Sequence, residues 1–412
     1  MNSQAGDAAA DIESPYAWLR LATAVALAAI GGAGMWSVVV ALPAIQADFG
    51  IDRAQAALPY TLAMLGFGAG GVLLGRLADR TGIVPPLIVG AIAVGLGYIG
   101  VGQSQDLTQV AAAQCLIGLG CSVSFGPMMA DVSHWFMRRR GIAVTIAAAG
   151  NYLAGTIWPP VTQHFIAADG WRATHTGIGL FCLATMLPLT LVMRRRLPAL
   201  GHAGAETAAA ARRADMPISP NLLQILLCVA GVGCCVAMAT PQVHLVAYCG
   251  DLGYGPARGA EMLSLMLGLG IISRVTSGFI ADRIGGVRTL LLGSVLQGTA
   301  LVLYLMFNGL TSLYVISGLF GLFQGGIVPS YAIIVREYFP PKEAGTRVGL
   351  VMLATLLGMA LGGWMAGAIF DATGSYQAAF LNGLAWNLLN MSIMTWLLLR
   401  TRRGGPAFAP GV

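Results

Sequence analysis

The sequence predicts an all-helical membrane protein in which twelve transmembrane helices form two parallel halves of six. Three observations lead to this fold class. Charged residues are scarce, twelve runs are long and apolar enough to span a bilayer, and the two halves repeat each other with an offset of 203 residues.

The composition points to lipid as the main solvent of this chain. Of its 412 residues, 57% are hydrophobic and only 10% are charged, whereas soluble domains carry about 25% charged residues. So little charge cannot cover a water-facing surface. Residues 1–17 contain three acidic residues and no Lys or Arg, unlike a secretory signal, so the first apolar run is expected to be a retained helix.

A transmembrane helix needs about 20 mainly apolar residues, and twelve runs meet this requirement. The runs are 18–46, 54–76, 84–104, 107–135, 140–166, 172–194, 221–249, 257–281, 287–307, 311–338, 344–370 and 377–399.

The basic residues predict the orientation of these helices, because cytoplasmic loops carry an excess of Lys and Arg. With the N-terminus inside, 19 of the 23 basic residues fall on the cytoplasmic side. Only Arg53, Arg172 and Arg258 fall outside, and Arg274 lies within a helix. We therefore expect a multi-pass protein of the cell inner membrane with both termini in the cytoplasm.

The longest polar stretch divides the chain into two sets of six helices. The expected organisation is a cytoplasmic tail (1–17), an N-terminal bundle (18–196), a cytoplasmic linker (197–219) that includes a short surface helix near 204–213, a C-terminal bundle (220–400) and a second tail (401–412).

An internal repeat relates the two halves. Gly75, Asp79, Arg80 and Gly82 recur at the same spacing as Gly278, Asp282, Arg283 and Gly285, and the same offset of 203 residues pairs Gly118 with Gly321. Repeats in one register, each with an even number of helices, predict parallel halves related by an axis along the membrane normal. Four Gly-x-x-x-Gly pairs, which begin at Gly66, Gly71, Gly358 and Gly363, are expected to allow close helix packing.

These loop motifs resemble the cytoplasmic signature of the major facilitator superfamily, and the resemblance spans nearly the whole chain. Asp79 is expected at the N-terminus of a neighbouring helix. The superfamily pattern continues with a basic pair, which is replaced here by Ile83 and Val84. Asp131 is therefore expected to pair with Arg80.

A narrower resemblance is to the monocarboxylate transporters, in particular their bacterial members and the related oxalate:formate antiporters. It rests on three segments: Gly31–Ser37 in helix 1, Trp135–Gly150 after helix 4, and His244–Gly253 at the end of helix 7. In that family an Arg in helix 8 holds the substrate carboxylate, and Arg274 occupies this place. Many members carry an Asp one turn earlier, where this chain has Gly270.

Arg274 is also singled out without the resemblance. It lies eight residues before Asp282, about 12 Å into the membrane, where charged residues are costly and usually face a cavity. Its repeat partner is Gly71, so the charge is not a feature shared by both halves. The expected role is a salt bridge to a substrate carboxylate; the alternative is an Arg bonded only to helix carbonyls.

Further site residues come from helices 1, 4, 7 and 10, which line the pathway in this superfamily. The substrate-binding candidates besides Arg274 are His244, Ser124, Ser122, Tyr331, Gln324 and Met35. His244 and Arg274 are also the candidates for proton coupling, because imidazole titrates near neutral pH. For Ser122, Tyr331, Gln324 and Met35 the alternative is ordinary packing between helices, and for His244 it is a role as a gate or capping residue.

One buried cation matches one substrate charge, because a dianion would leave charge uncompensated in a low dielectric. The predicted function is therefore secondary transport of small monocarboxylates such as lactate or pyruvate, with proton symport. The alternative is an organic-anion antiporter or a carrier of larger or aromatic carboxylates without proton coupling.

No phosphate-binding loop, metal-ligand spacing or catalytic constellation is present in the sequence. We therefore expect that the protein is not an enzyme and that it has no cofactor, metal or nucleic-acid partner. The expected functional unit is a monomer.

Overall fold

The computed structural model describes residues 13–136, 139–195 and 218–402, and every regular element in these ranges is helical. The first half contains α1 (Pro15–Phe49), α2 (Arg53–Thr81), α3 (Val84–Gln103), α4 (Leu107–Trp135), α5 (140–169) and α6 (171–192). The second half contains α7 (Pro220–Asp251), α8 (Pro256–Ile284), α9 (Gly286–Met306), α10 (Leu310–Tyr338), α11 (Pro341–Thr373) and α12 (Tyr376–Arg402).

The helices have the length and composition of membrane spans. Ten stretches in the described ranges are long and apolar enough to cross a bilayer, and one of them, Gly141–Val192, is 52 residues long. Gly170 breaks it into α5 and α6 with a φ of 80°, a conformation that favours glycine. The more polar α12 adds a further helix of 27 residues. The predicted all-helical membrane fold is confirmed, whereas most of both predicted tails and of the linker lies outside the described residues.

The predicted repeat is present in the backbone itself. Gly82 and Gly285, which are 203 residues apart, both end a helix with a φ of 83°. A Cβ atom added to Gly118 would lie 2.0 Å from the carbonyl oxygen of Ala63, and one added to Gly321 would lie 2.0 Å from that of Met266. These pairs also follow the offset of 203 residues, so the helices of the two halves pack alike.

Most of the predicted Gly-x-x-x-Gly contacts are observed. Added Cβ atoms at Gly66, Gly358 and Gly363 would lie 2.1–3.0 Å from atoms of a neighbouring helix. The prediction is wrong for Gly71 and Gly75, because neither position has a described atom within 4 Å. Both positions face open space rather than a neighbouring helix.

The two halves touch on one side of the membrane and separate on the other. We call the side with the start of α1 the N-terminal face and the other side the opposite face. Along one side of α11, Gly367 and Gly363 closely approach α2, whereas Gly349 and Gly345 have no described atom within 4 Å. The halves are therefore closed at the opposite face and apart at the N-terminal face.

An ion pair between α1 and α4 replaces a contact predicted from the sequence. Asp131 binds Arg20 through two hydrogen bonds of 2.8 Å, and not Arg80 as expected. The Arg20 side chain is 2% exposed and stacks 4.7 Å from the ring centroid of Trp135. Arg80 is exposed at the end of α2, whereas Arg20 is buried on α1 beside Asp131.

The loop motifs end their helices at the N-terminal face. Asp79, Arg80, Asp282 and Arg283 are exposed, and no ion pair joins any of them to another described residue. In the second half, the N-terminus of α9 is capped by Glu337, which accepts the backbone N–H of Gly286 at 3.0 Å. The expected capping role of Asp79 is therefore not observed among the described residues.

Candidate substrate site

Arg274 lies in the middle of α8 at the contact between the two halves and is 8% exposed. Its Nε atom donates to the carbonyl oxygen of Gly325 at 3.4 Å, and its Nη1 atom donates to that of Ala148 at 3.0 Å. Gly325 belongs to the same half, and Ala148 lies on α5 of the other half. No described residue accepts a hydrogen bond from Nη2, so one edge of the guanidinium group is left for a ligand.

The carbonyl group of Gly325 is available because α10 is interrupted there. In a continuous helix it would accept the N–H of residue 329, but that residue is Pro329 and has no N–H. Helix α10 breaks at Gly325–Gly326, as α4 breaks at the equivalent Ser122–Ser124. A local break in the helix thus provides a buried acceptor for Arg274.

An aromatic ring from the other half lies beneath Arg274. The guanidinium carbon is 4.6 Å from the centroid of the Tyr152 ring on α5. This arrangement requires a glycine one turn earlier on α8, because a Cβ atom on Gly270 would lie 2.4 Å from Cε1 of Tyr152. The Tyr152 ring therefore fills the space that an acidic side chain at position 270 would need.

Arg274 has no acidic partner among the described residues. The acids on its own helix, Glu261 and Asp282, are 13 and 8 residues away, which is about 20 and 12 Å along a helix. The stretches 14–47, 140–168, 220–250 and 310–336, which cover most of α1, α5, α7 and α10, contain no Asp or Glu. Among the described residues, the positive charge of Arg274 is thus balanced only by carbonyl dipoles and an aromatic face. A site that binds an anion requires such an unneutralised positive charge.

Three other predicted residues lie at the helix breaks or beside the neighbour of Tyr152. Gln324 precedes Gly325 and accepts a hydrogen bond of 2.9 Å from Gln242, while its own Nε2 atom has no partner. Met35 contacts the amide of Asn151, the residue before Tyr152. Ser124, at the break in α4, has a buried hydroxyl group without a partner.

Two predicted residues are engaged in packing instead. Ser122 donates to the carbonyl oxygen of Leu119 in its own helix at 2.7 Å. Tyr331 is fully buried and donates to Asn390 of α12 at 3.1 Å. Neither of these hydrogen bonds involves Arg274 or Tyr152.

His244 lies in the closed contact at the opposite face. Its Nε2 atom is 2.7 Å from the carbonyl oxygen of Gly363, and its Nδ1 atom is 3.1 Å from the hydroxyl group of Tyr376. Since a carbonyl group only accepts, Nε2 carries the proton and Nδ1 accepts from Tyr376. Both nitrogens are therefore occupied within the C-terminal half.

Arg53 joins the two halves at the same place. Its guanidinium group binds Asp251 through two hydrogen bonds of 3.1 and 3.2 Å, and donates to the hydroxyl group of Tyr376 at 2.8 Å. The backbone N–H groups of Arg53 and Ala54 donate to the carboxylate of Asp371 at 2.9 and 2.7 Å. We refer to Arg53, Asp251, Asp371, Tyr376 and His244 as the opposite-face clasp.

Sequence reasoning missed Tyr152 and the residues of the clasp other than His244. Arg53 was counted only as a loop charge at the outer end of α2, and a Tyr within an apolar helix looks like ordinary core. Gly270 was a usable signal, because a glycine one turn before a buried Arg leaves space for a group from another helix.

Comparison with known proteins identifies the family. The chain matches the model of the Major Facilitator Superfamily over residues 24–316 and 251–411. It is 28% identical over 330 residues to monocarboxylate transporter 13 of Bos taurus, covering 78% of this chain and 75% of that protein. It is 24% identical over 335 residues to the MFS-type transporter pynF of Aspergillus niger, covering 80% and 75% of the two chains.

A solved structure shares the fold. A bacterial homologue of the human lysosomal transporter Spinster, in an inward-facing and unoccupied conformation, superposes with a TM-score of 0.73 at 13% identity, over 95% of this chain and 98% of that one. The relatives are membrane transporters rather than enzymes. The chain therefore belongs to the major facilitator superfamily and is related within it to the monocarboxylate transporters.

Proposed function

We propose that this protein carries small organic monoanions, such as lactate or pyruvate, with the carboxylate bound by Arg274. The supporting observation is a buried guanidinium group that has a free edge and no acidic partner among the described residues. A carboxylate can accept two parallel hydrogen bonds from such a group. A single positive charge is matched by a single negative charge, which favours monoanions over dianions.

The two halves would move about this site by alternating access. In the described conformation Arg274 lies between the closed opposite face and the separated N-terminal face. The excess of basic residues at the N-terminal face supports its location in the cytoplasm, and therefore an orientation in the inner membrane with both termini inside. A single chain supplies both halves, in keeping with a monomeric functional unit.

Proton symport remains a prediction from the sequence, and the contacts favour the alternative without a proton on the protein. Gly270 offers no carboxyl group beside Arg274, and both nitrogens of His244 are hydrogen-bonded. The aromatic face of Tyr152 beneath Arg274 is also suited to larger or aromatic carboxylates, which are the second candidate substrates.

A ligand panel tests this proposal. Purified protein is screened by thermal shift against lactate, pyruvate, benzoate, oxalate and the neutral amide of lactate. Monocarboxylates should raise the melting temperature, while the amide and oxalate should not. The same screen on Arg274→Ala should show no response, and a monocarboxylate response that survives in this variant would overturn the assignment.

A further inference from the structure

The environment of Arg274 bears on the mode of transport as well as on the substrate. We infer that this protein is an obligatory exchanger of carboxylates, in which the halves reorient readily only when an anion is bound to Arg274. This inference rests on the proposed function and adds the coupling mode. It derives from the balance of charge in the intermediate with both faces closed, through which every transport cycle must pass.

Alternating access requires an intermediate in which both faces are closed around the site. Arg274 is then enclosed by α1, α5, α7, α8 and α10, whose central parts contain no Asp or Glu. With a monocarboxylate bound, the enclosed site is electrically neutral. Without one, the guanidinium charge is enclosed with no opposite charge, and this is costly in a low dielectric.

A carrier avoids this penalty when an acidic side chain neutralises the cation after the substrate has left. Here the nearest position, residue 270, is a glycine, and the Tyr152 ring occupies the space beside it. An acid at residue 270, one turn before Arg274, would have to displace the Tyr152 ring, because a Cβ atom there would lie 2.4 and 2.7 Å from Cε1 and Cδ1 of the ring. No acid in the described ranges forms an ion pair with the guanidinium group. The titratable group stacked on it is Tyr152, and a neutral phenol cannot cancel its charge.

The remaining partners of Arg274 make the unloaded transition harder. Its Nη1 atom donates to Ala148 of the N-terminal half, while Nε donates to Gly325 of the C-terminal half. The cation thus bridges the two bodies that must move against each other. When the halves move, the contact with Ala148 is broken, and a bound carboxylate is the one anionic group that can compensate for its loss.

The test compares exchange with net movement in the wild-type protein. Proteoliposomes are filled with unlabelled anion or with chloride, and the initial uptake of radiolabelled lactate, pyruvate or benzoate is measured. The membrane potential is held at zero with potassium and valinomycin, so that charge build-up does not limit net uptake. We expect uptake into anion-filled vesicles to be faster than uptake into chloride-filled vesicles by about tenfold or more. A tenfold difference in rate corresponds to a difference of only about 1.4 kcal/mol between the reorientation barriers of the loaded and the empty protein.

Equal rates into the two kinds of vesicle would overturn the exchange inference and leave the proposed function standing. Uptake of none of the three anions into either kind of vesicle would instead overturn the proposed function. The two failures are therefore distinguishable in one experiment.

An engineered acid provides an independent test. In the double variant Gly270→Asp/Tyr152→Ala, removal of the ring makes room for a carboxylate beside Arg274. The ratio of exchange to net uptake, which is the rate into anion-filled vesicles divided by the rate into chloride-filled vesicles, should fall towards one. Net uptake should also increase when the vesicle interior is alkaline. A ratio unchanged from that of the wild type would contradict the inference.

Gly268→Asp/Tyr152→Ala is the matched control. It adds the same charge to the same helix at a position where a Cβ atom has its nearest contact at 3.4 Å. Six residues separate it from Arg274, about 9 Å along the helix, which is too far for a hydrogen-bonded pair. This variant should keep the wild-type ratio, and a ratio near one would contradict the role of direct charge neutralisation. If the double variant with Asp at position 270 does not fold, the ratio of exchange to net uptake in the wild-type protein decides whether the inference holds.

Discussion

The carboxylate of Asp371, at the end of α11, accepts the backbone N–H of Arg53 at 2.9 Å, at the start of α2. A residue of the C-terminal half therefore caps a helix of the N-terminal half. The second carboxylate oxygen accepts the N–H of Ala54 at 2.7 Å. This contact exists only while the opposite face is closed, so it stabilises one conformation of the transport cycle over the other.

Asp371→Ala should shift the protein towards the conformation that is open at the opposite face. Loss of a helix cap costs about 0.5–2 kcal/mol, which corresponds to a roughly 2- to 30-fold change in the conformational ratio. The measurement is thiol labelling of Ala57→Cys, a buried position near the clasp, in a protein whose seven native cysteines have been replaced. Labelling should become faster.

Asp52→Ala is the control for this variant. Asp52 precedes α2, and its carboxylate accepts the backbone N–H of Gln55 on the same helix as one arm of a capping box. Its loss weakens the helix start without breaking a contact between the halves, so labelling at position 57 should stay close to the parent rate. Equal acceleration in both variants would show that Asp371 acts only on helix stability.

His244→Phe should leave the pH profile of uptake unchanged between about pH 5.5 and 8. In the clasp, His244 is neutral with its proton on Nε2, and it faces Gly363 and Tyr376 rather than Arg274. The absolute rate should change because the clasp is weakened. If the variant abolished a pH dependence that the wild type shows, His244 would carry the transported proton after all.

Gly66→Ala should destabilise the N-terminal half. The added methyl group would lie 2.1 Å from the carbonyl oxygen of Cys115, which belongs to the backbone of α4 and cannot rotate away. Overpacking of this kind costs about 1–3 kcal/mol, to be measured as a lower melting temperature in detergent.

Gly71→Ala is the matched control on the same helix, since no described atom lies within 4 Å of its added methyl group. It should be neutral or slightly stabilising, because Ala is the better helix former. If Gly71→Ala were as damaging as Gly66→Ala, the cause would be something other than close helix packing.

Arg20→Met should be strongly destabilising, because it leaves Asp131 without its cation. Breaking a buried ion pair from one side costs about 3 kcal/mol or more, and Arg20 is 2% exposed. The double variant Arg20→Met/Asp131→Leu removes both charges and should recover much of the melting temperature. A double variant no more stable than the single one would argue that Arg20 acts through its stacking on Trp135.

The sequence was sufficient for features that depend on local chemistry. Apolar runs, basic residues at helix ends and a 203-residue repeat predict the helices and the parallel halves. Arg274 stands out because a charge in the middle of an apolar run requires an explanation. The partners of these charges could not be predicted, since they depend on which helices face each other. Arg20 and Arg53 look like charges at helix ends in the sequence, yet both are buried against acids more than 100 residues away.

Residue type alone was a poor guide to the rest of the site. Tyr331 and Ser122 were predicted from their helices, but the side that a residue presents depends on the rotation of its helix. Tyr331 points to α12, and Ser122 bonds within α4. Tyr152 was not predicted, because its role arises from the absence of a side chain at Gly270 on another helix.

The central claim is that Arg274 binds the carboxylate, and uptake by Arg274→Lys tests it most directly. Lysine keeps the charge but cannot present two parallel N–H groups or stack as a flat cation on Tyr152. We predict that exchange of radiolabelled lactate, pyruvate and benzoate falls by at least about tenfold, while the melting temperature without ligand stays near that of the wild type. Exchange at the wild-type rate in a folded Arg274→Lys protein would contradict the account.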